Sequence, residues 1–254
     1  MFMASDEKVA LITGGGSGIG QEAALALQQI KYRVVVVGRR RTLLEKTVAL
    51  SEGLGPEMTA ITADISNPQQ VTALFSELTK TFGRLDLLFN NAGVGIPSVA
   101  TEDLTFDDWK KTIDTNLTGA FLCAQSAIRI MKKQSPRGGR IINNGSVSAH
   151  VPRPHSVAYT ATKHAVTGLT KSLALDGRQH DIACSQIDIG NADTEIAAQM
   201  KIGMPQPNGE TMPEPVMNPI HCGEAVAYIA NLPLDTNVLF MTVMATKMPY
   251  VGRG

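Results

Sequence analysis

Tyr159 and Lys163 stand four apart in YTATKHAVTGLTKSLAL, a segment whose apolar spacing is that of a long helix. Residues at i and i+4 share one helix face, so the phenol and the ammonium are neighbours. A free phenol titrates at about 10, too high for efficient proton exchange near neutral pH, and an adjacent ammonium favours the phenolate. The pair therefore reads as a general acid/base, Tyr159, with its activator, Lys163. Ser146, in NNGSVSA just beyond an apolar run, offers a hydroxyl to a substrate oxygen on which negative charge develops. The plainer alternatives are a surface Tyr–Lys pair and a serine that turns or caps the chain.

A second stretch with chemical potential is Thr13-Gly14-Gly15-Gly16-Ser17-Gly18-Ile19-Gly20, followed by the helical pattern QEAALALQQI. Glycines let the backbone turn sharply and approach a ligand, and the helix start beyond them presents unpaired N–H groups and a positive dipole end. That combination suits a pyrophosphate. The glycines fall as GxxxGxG at 14, 18 and 20, because Ile19 stands where GxGxxG would need glycine. An ordinary strand-to-helix turn is the alternative; the position at the head of a strand–helix series favours nucleotide binding.

These residues need a scaffold, and the chain has a repeating rhythm. Short apolar or β-branched runs lie at 9–13, 33–37, 58–62, 85–89, 140–143, 182–187 and 238–243, with helix-length segments between most of them. Such alternation indicates βαβ units and an α/β fold with a parallel sheet. The runs are nearly continuous in apolar residues, so both faces of the sheet should be covered by helices. No composition break or linker divides the 254 residues, and one domain over 1–254 is expected. Residues 190–219 interrupt the rhythm: Pro205, Pro207, Pro213, Pro215 and Pro219 with Met200, Met204, Met212 and Met217 are too proline-rich for one helix.

Composition narrows the partners. Lys plus Arg and Asp plus Glu both total 23, so no overall field draws the chain to nucleic acid or an anionic membrane. The N-terminal MFMASDEKVA lacks the apolar core of a signal peptide, and no apolar run approaches the roughly 18 residues of a membrane span. A soluble, cytoplasmic protein is expected. Cys123, Cys184 and Cys222 are odd in number and far apart, and read as reduced, buried thiols. Five histidines without HExxH spacing predict no metal site.

TGGGSGIG, the NNAG at 90–93, Ser146 thirteen residues before Tyr159, and YTATK ending in Lys163 together resemble the short-chain dehydrogenase/reductase family. The resemblance runs from Lys8 to the last strand. It implies a Rossmann-type, doubly wound sheet of about seven parallel strands in a three-layer sandwich, a nicotinamide cofactor, and hydride transfer at a carbonyl or alcohol carbon. It implies that Lys163 also binds the nicotinamide ribose hydroxyls, and that Asn116, in DTNLTG, is a fourth catalytic residue whose backbone supports a water-linked proton relay. The family spacing of thirteen selects Ser146 over Ser148, which lies at eleven. Cofactor contacts are implied at Gly14, Gly16, Ser17, Gly18, Ile19 and Gly20, at Asp64 and Ile65 on the adenine side, at Asn91, Ala92 and Gly93, and at Gly190. Asp64 has an alternative as a helix cap, since Ser66-Asn67-Pro68 also looks like a helix start.

The stretch VVVVGRRR at 34–41 bears on which cofactor. An acidic residue after the second strand would contact the adenosine ribose of NAD, whereas an arginine there accommodates the extra phosphate of NADP. Here Gly38 leaves room, Arg39 offers a planar fork for the phosphate, and Arg40 assists; the alternative is a run of solvated arginines opening the next helix, which suits Arg41. NADP is the expected cofactor and NAD the alternative; Ser17, where many NADP-dependent relatives carry a basic residue, counts for NAD. The family closes the region after the sixth strand over the substrate, so residues 190–219 are expected to be a lid over a small to medium-sized, partly apolar ketone or alcohol, with plain packing of its methionines as the alternative. Ile189 replaces the family's usual proline at its start. His150, Arg153 and His155 read as solvated loop residues, with contact to an anionic substrate group as the alternative. A homodimer or homotetramer is implied; the faces at 121–131 and 166–175 are candidates, with intramolecular packing as the alternative source of their apolar pattern. A nucleotide-binding sensor or scaffold without chemistry is the alternative function, and an enoyl-thioester reductase, whose Tyr–Lys spacing is often wider, a lesser one.

Overall fold

The computed structural model describes residues 7–95 and 98–252, so the first six residues of the N-terminal stretch lie outside it. Seven strands, β1 (Val9–Thr13), β2 (Arg33–Gly38), β3 (Thr59–Thr62), β4 (Leu87–Asn90), β5 (Gly139–Asn144), β6 (Ile182–Gly190) and, after the short β7 (Met204–Pro205) and β8 (Thr211–Met212), β9 (Phe240–Met244), carry the architecture. They form one sheet in the order β3-β2-β1-β4-β5-β6-β9, every neighbouring pair parallel. β7 and β8 pair antiparallel in a separate hairpin. The apolar runs expected from sequence match these strands within two or three residues. Leu85 falls before β4 because its N–H and C=O bond the Gln134 side chain at 2.8 and 3.0 Å instead of joining the ladder.

Successive strand residues point to opposite faces, so a wholly apolar strand feeds two cores. Leu11, Val35, Val37, Leu88, Ile141 and Cys184 face one core with helices α3 (Pro68–Phe82), α5 (Ala120–Met131) and α6 (Val157–Gly177). Ile12, Val34, Val36, Phe89, Ile142 and Ile187 face the other, with α1 (Gly18–Gln29), α2 (Arg41–Leu50) and α8 (Ile220–Asn231). Two further helices are α4 (Phe106–Ile113) and α7 (Ala198–Ile202). Coverage is incomplete at β9, where Phe240 and Thr242 are exposed, because this edge strand has a neighbour on one side only.

Local chemistry sets the helix ends. Asn67 Oδ1 accepts from the N–H groups of Gln69 and Gln70 at 3.0 Å each, Pro68 opens α3, and Gly83 closes it with φ 74°. Residues 190–219 are folded rather than structureless. They contain a 3-10 turn (Glu195–Ala197), α7 and the β7–β8 hairpin, and return to the sheet through Met217, whose N–H donates to Asn191 O at 2.8 Å. No helix among the described residues is long and apolar enough to cross a membrane.

The strand order reverses between β1 and β4, which places a crevice beyond their C-terminal ends, where α/β sheets bind ligands.

Candidate active site

The crevice is a cleft of about 610 Å³, and it gathers residues from Gly14 to Met204. Gly14, Gly16, Ser17, Gly18 and Ile19 from the glycine loop line it, as do Gly38, Arg39 and Arg40 after β2, Asp64 and Ile65 after β3, and Asn91, Ala92 and Gly93 after β4. Ser146, Tyr159, Lys163 and Gly190 complete the wall at the other end. Gly20 is absent from the wall because its role is in packing: a β-carbon there would sit 2.2 Å from Gly14 O. Gly14 holds φ +67° and lies against Ala92, which brings the β1 and β4 exits together. Ser17, the N-cap of α1, is extended and makes no side-chain cap bond, so the α1 N-terminus carries no side-chain cap. A pyrophosphate fits this cradle.

The loop ends are laced by short polar side chains. Thr13 Oγ1 accepts from the N–H groups of Asn91 and Ala92 at 3.0 Å, and Asn91 Nδ2 donates to Thr13 O at 2.9 Å. Asn144 Nδ2 donates to Asn91 Oδ1 at 2.9 Å, extending the lacing to β5. Asp64 is not the cap of α3, which is Asn67; its Oδ1 accepts from Ser66 N–H and Oγ–H at 2.9 and 2.7 Å. At Gly38 packing does not demand glycine, since a β-carbon would meet only Leu44, at an ordinary 3.5 Å. Arg39 is exposed on the cleft wall; Arg40 Nη2 lies 3.5 Å from Glu195 Oε2, across the cleft mouth. Arg41 begins α2 and bonds Glu45 one turn on at 2.7 Å.

At the opposite end Tyr159 and Lys163 lie in the first two turns of α6, and Lys163 Nζ is 5.4 Å from the centre of the Tyr159 ring. Lys163 is buried and its Nζ donates to Asn144 O at 2.7 Å, which pins the ammonium to the end of β5. Ser146 Oγ accepts from Ser148 N–H at 3.1 Å, leaving its own proton for an acceptor in the cleft. Both serines line the wall. Asn116 is buried behind the cleft in a π-helical segment (Asp114–Gly119), and its side chain bonds Val94 N–H and C=O at 2.7 and 3.0 Å. Single π turns redirect local carbonyls and recur at functional sites.

Several neighbours were not legible in the sequence. Asp188, 1% exposed, accepts from Ser146 N–H at 2.9 Å and Gln186 Nε2 at 2.8 Å through Oδ1, while His150 Nε2 lies 2.9 Å from Oδ2. A carboxylate thus orients the backbone of Ser146 from behind. Arg153 is not a solvated loop residue: it is largely buried on the cleft wall and ion-paired to Glu214 of the 190–219 segment. Burial works to raise the Glu214 pKa, but hydrogen bonds from Asn191 and Gln206 and the Arg153 charge outweigh it and hold the carboxyl below its ordinary value. Met200 and Met204 line the wall, whereas Met212 is exposed and Met217 packs against a core. Thr194, Glu195 and Ala197 join them; only the position of this segment after β6 hinted at them. All three cysteines are buried, and burial pushes their thiols up to about 12, away from reactivity.

Over residues 8–204 the sequence matches the short chain dehydrogenase family. It is 39% identical over 191 residues to a 3beta-hydroxysteroid dehydrogenase of Mediterraneibacter gnavus, an alignment covering 75% of this chain and 68% of that protein. The fold is similar to that of a metagenomic short-chain oxidoreductase crystallised with NADP, with a TM-score of 0.80 and 26% identity over 94% of this chain and 97% of the other. It is likewise similar to a 3-ketoacyl-(acyl-carrier-protein) reductase of Brucella melitensis complexed with NADH, with a TM-score of 0.82 and 27% identity over 94% and 98% of the two chains. A family match that runs through both the glycine loop and the helix of Tyr159 and Lys163, with a relative 39% identical, makes this chain a member of the short chain dehydrogenase family.

Proposed function

We propose that the protein interconverts a secondary alcohol and its ketone with a nicotinamide cofactor, NADP in preference to NAD, and with Tyr159 as general acid/base. The observation that carries this reading is the sharing of one cleft by the glycine loop at one end and Ser146, Tyr159 and Lys163 at the other. The two named relatives that act on hydroxyl or keto groups, the hydroxysteroid dehydrogenase and the ketoacyl reductase, support the reaction class. Bound nicotinamide supplies or accepts the hydride. In the reductive direction Ser146 O–H donates to the substrate carbonyl oxygen as negative charge grows there, and Tyr159 delivers its phenolic proton to the same atom. In the oxidative direction the alcohol proton passes to Tyr159. Lys163, held by Asn144 O beside the ring, stabilises the phenolate, and Asn116 supports return of the proton through its backbone.

Gly38 and Arg39 support NADP, because neither offers the carboxylate that would repel a 2′-phosphate. Residues 190–219 act as the lid, with Met200 and Met204 as adaptable apolar contacts for a small to medium-sized substrate. The chain is one domain and works in the cytoplasm as a homodimer or homotetramer. Tyr159→Phe should lower turnover by about 10²- to 10⁴-fold while NADPH affinity, read by fluorescence titration, stays near that of the wild type. Turnover equal to wild type would exclude Tyr159 from the chemistry.

A further inference from the structure

Arg153 and Glu214 are 61 residues apart and meet in the interior, their side chains 11% and 1% exposed. Arg153 Nη2 donates to Glu214 Oε2 at 2.5 Å and to Asn191 Oδ1 at 2.6 Å. Asn191 Nδ2 donates to the same Oε2 at 2.8 Å, and Gln206 Nε2 to Oε1 at 3.0 Å. Three segments are joined in this way: the approach to α6, the exit of β6, and the hairpin part of residues 190–219. Arg153 and Asn191 stand on the cleft wall together with Met200 and Met204, at the end that holds Tyr159. Arg153 Nε is buried there with no acceptor among the described residues.

The charges have a consequence for what the cleft can hold. A guanidinium on a substrate wall ordinarily recruits carboxylates. Here its charge is already matched inside the protein by a carboxylate that also accepts from Asn191 and Gln206. An anionic substrate would have to share that guanidinium with Glu214 and would be desolvated beside a buried anion, a penalty that a neutral ketone does not meet.

Resting on the alcohol–ketone reading above, we propose that Arg153 and Glu214 form a charge-cancelling clasp that holds residues 204–217 over the cleft and restricts it to uncharged alcohols and ketones. Removing the acid leaves an unmatched buried guanidinium, for which a substrate carboxylate is the fitting counterion.

The test uses the full chain as wild type, Glu214→Gln, and the double variant Glu214→Gln with Arg153→Gln, each verified as folded by circular dichroism. Amide hydrogen exchange over residues 204–217 should quicken about tenfold or more in Glu214→Gln. Unchanged exchange there overturns the clasp, whatever the catalytic results. Affinity and turnover are then measured on the NADPH-loaded protein with a matched pair, 2-hexanone and 4-oxopentanoate. Wild type should favour the neutral ketone by about 100-fold, Glu214→Gln should narrow this to about tenfold or less through tighter carboxylate binding, and the double variant should restore the preference. A preference that does not move in Glu214→Gln overturns the charge selection, and so does one that stays narrowed in the double variant, which would indicate a loosened lid. Absence of turnover of either compound by wild type counts against the alcohol–ketone reading alone, because the affinities still decide the selection.

Discussion

Arg39, Arg40 and Arg41 follow one another in the chain but have three different surroundings. Arg41 is occupied by Glu45 within α2, and Arg40 lies against Glu195 of the segment after β6. Among the described residues Arg39 has no carboxylate within ion-pair distance, and it lines the cleft, where the proposed NADP would present its 2′-phosphate. A charge-assisted, forked contact of this kind contributes about 1.5–3 kcal/mol. Arg39→Ala should therefore weaken NADPH binding by about 10- to 100-fold and leave NADH binding within about twofold, as read by fluorescence titration of both. Equal weakening of the two would remove the case for NADP. Tyr159 and Lys163 were legible because a four-residue spacing determines their shared face in any helix. Asp188 was not: it reaches Ser146 N–H from a different strand, 42 residues on, and nothing local marks its carboxylate as buried.

Elements rather than residues decide where the molecule is firm. β5 carries the cleft at its C-terminal end, through Asn144, and a buried cation near its start, Arg140. Arg140 Nη1 donates to Asn237 Oδ1 at 2.9 Å, and Nη2 to the carbonyls of Leu232, Pro233 and Thr236 at 3.3, 3.1 and 2.9 Å. Burial holds its pKa below the ordinary value, yet these acceptors make it the tie between β5 and the loop from α8 to β9. Arg140→Met strands those acceptors, so it should cost about 2–4 kcal/mol in urea unfolding while cofactor affinity at 25 °C is retained. A loss below about 0.5 kcal/mol would show that the loop relaxes without it. Asn67-Pro68 announced the start of α3 in the sequence because capping is local chemistry. The 190–219 segment did not announce its turns, since its prolines report only what it cannot be.

At the scale of the whole molecule, two cores sandwich one sheet, and the cleft opens at the C-terminal ends of its strands. The faces at 121–131 and 166–175 are largely consumed by packing, as Cys123, Ala124, Ala127 and Met131 are buried in a core. Phe121, 43% exposed, and Leu175, 60% exposed, remain at the surface, and in the proposed assembly they are the apolar residues available to a second copy. Light scattering after size exclusion should give a dimer or tetramer for wild type and a smaller species for Phe121→Glu with Leu175→Glu; a monomeric wild type would exclude the assembly. The alternation of apolar runs with helices, the glycine loop after β1 and the Tyr159–Lys163 pair are all properties of nearest neighbours or of periodicity, and the sequence determined them by itself. Which face of which core each strand residue enters, that Arg153 is buried rather than solvated, and that Glu214 and Asp188 stand behind the cleft were decided only by tertiary structure. The reason is physical: a linear pattern encodes local geometry and burial of apolar surface, whereas the partner that makes a buried charge tolerable comes from another segment and is specified only when the fold closes.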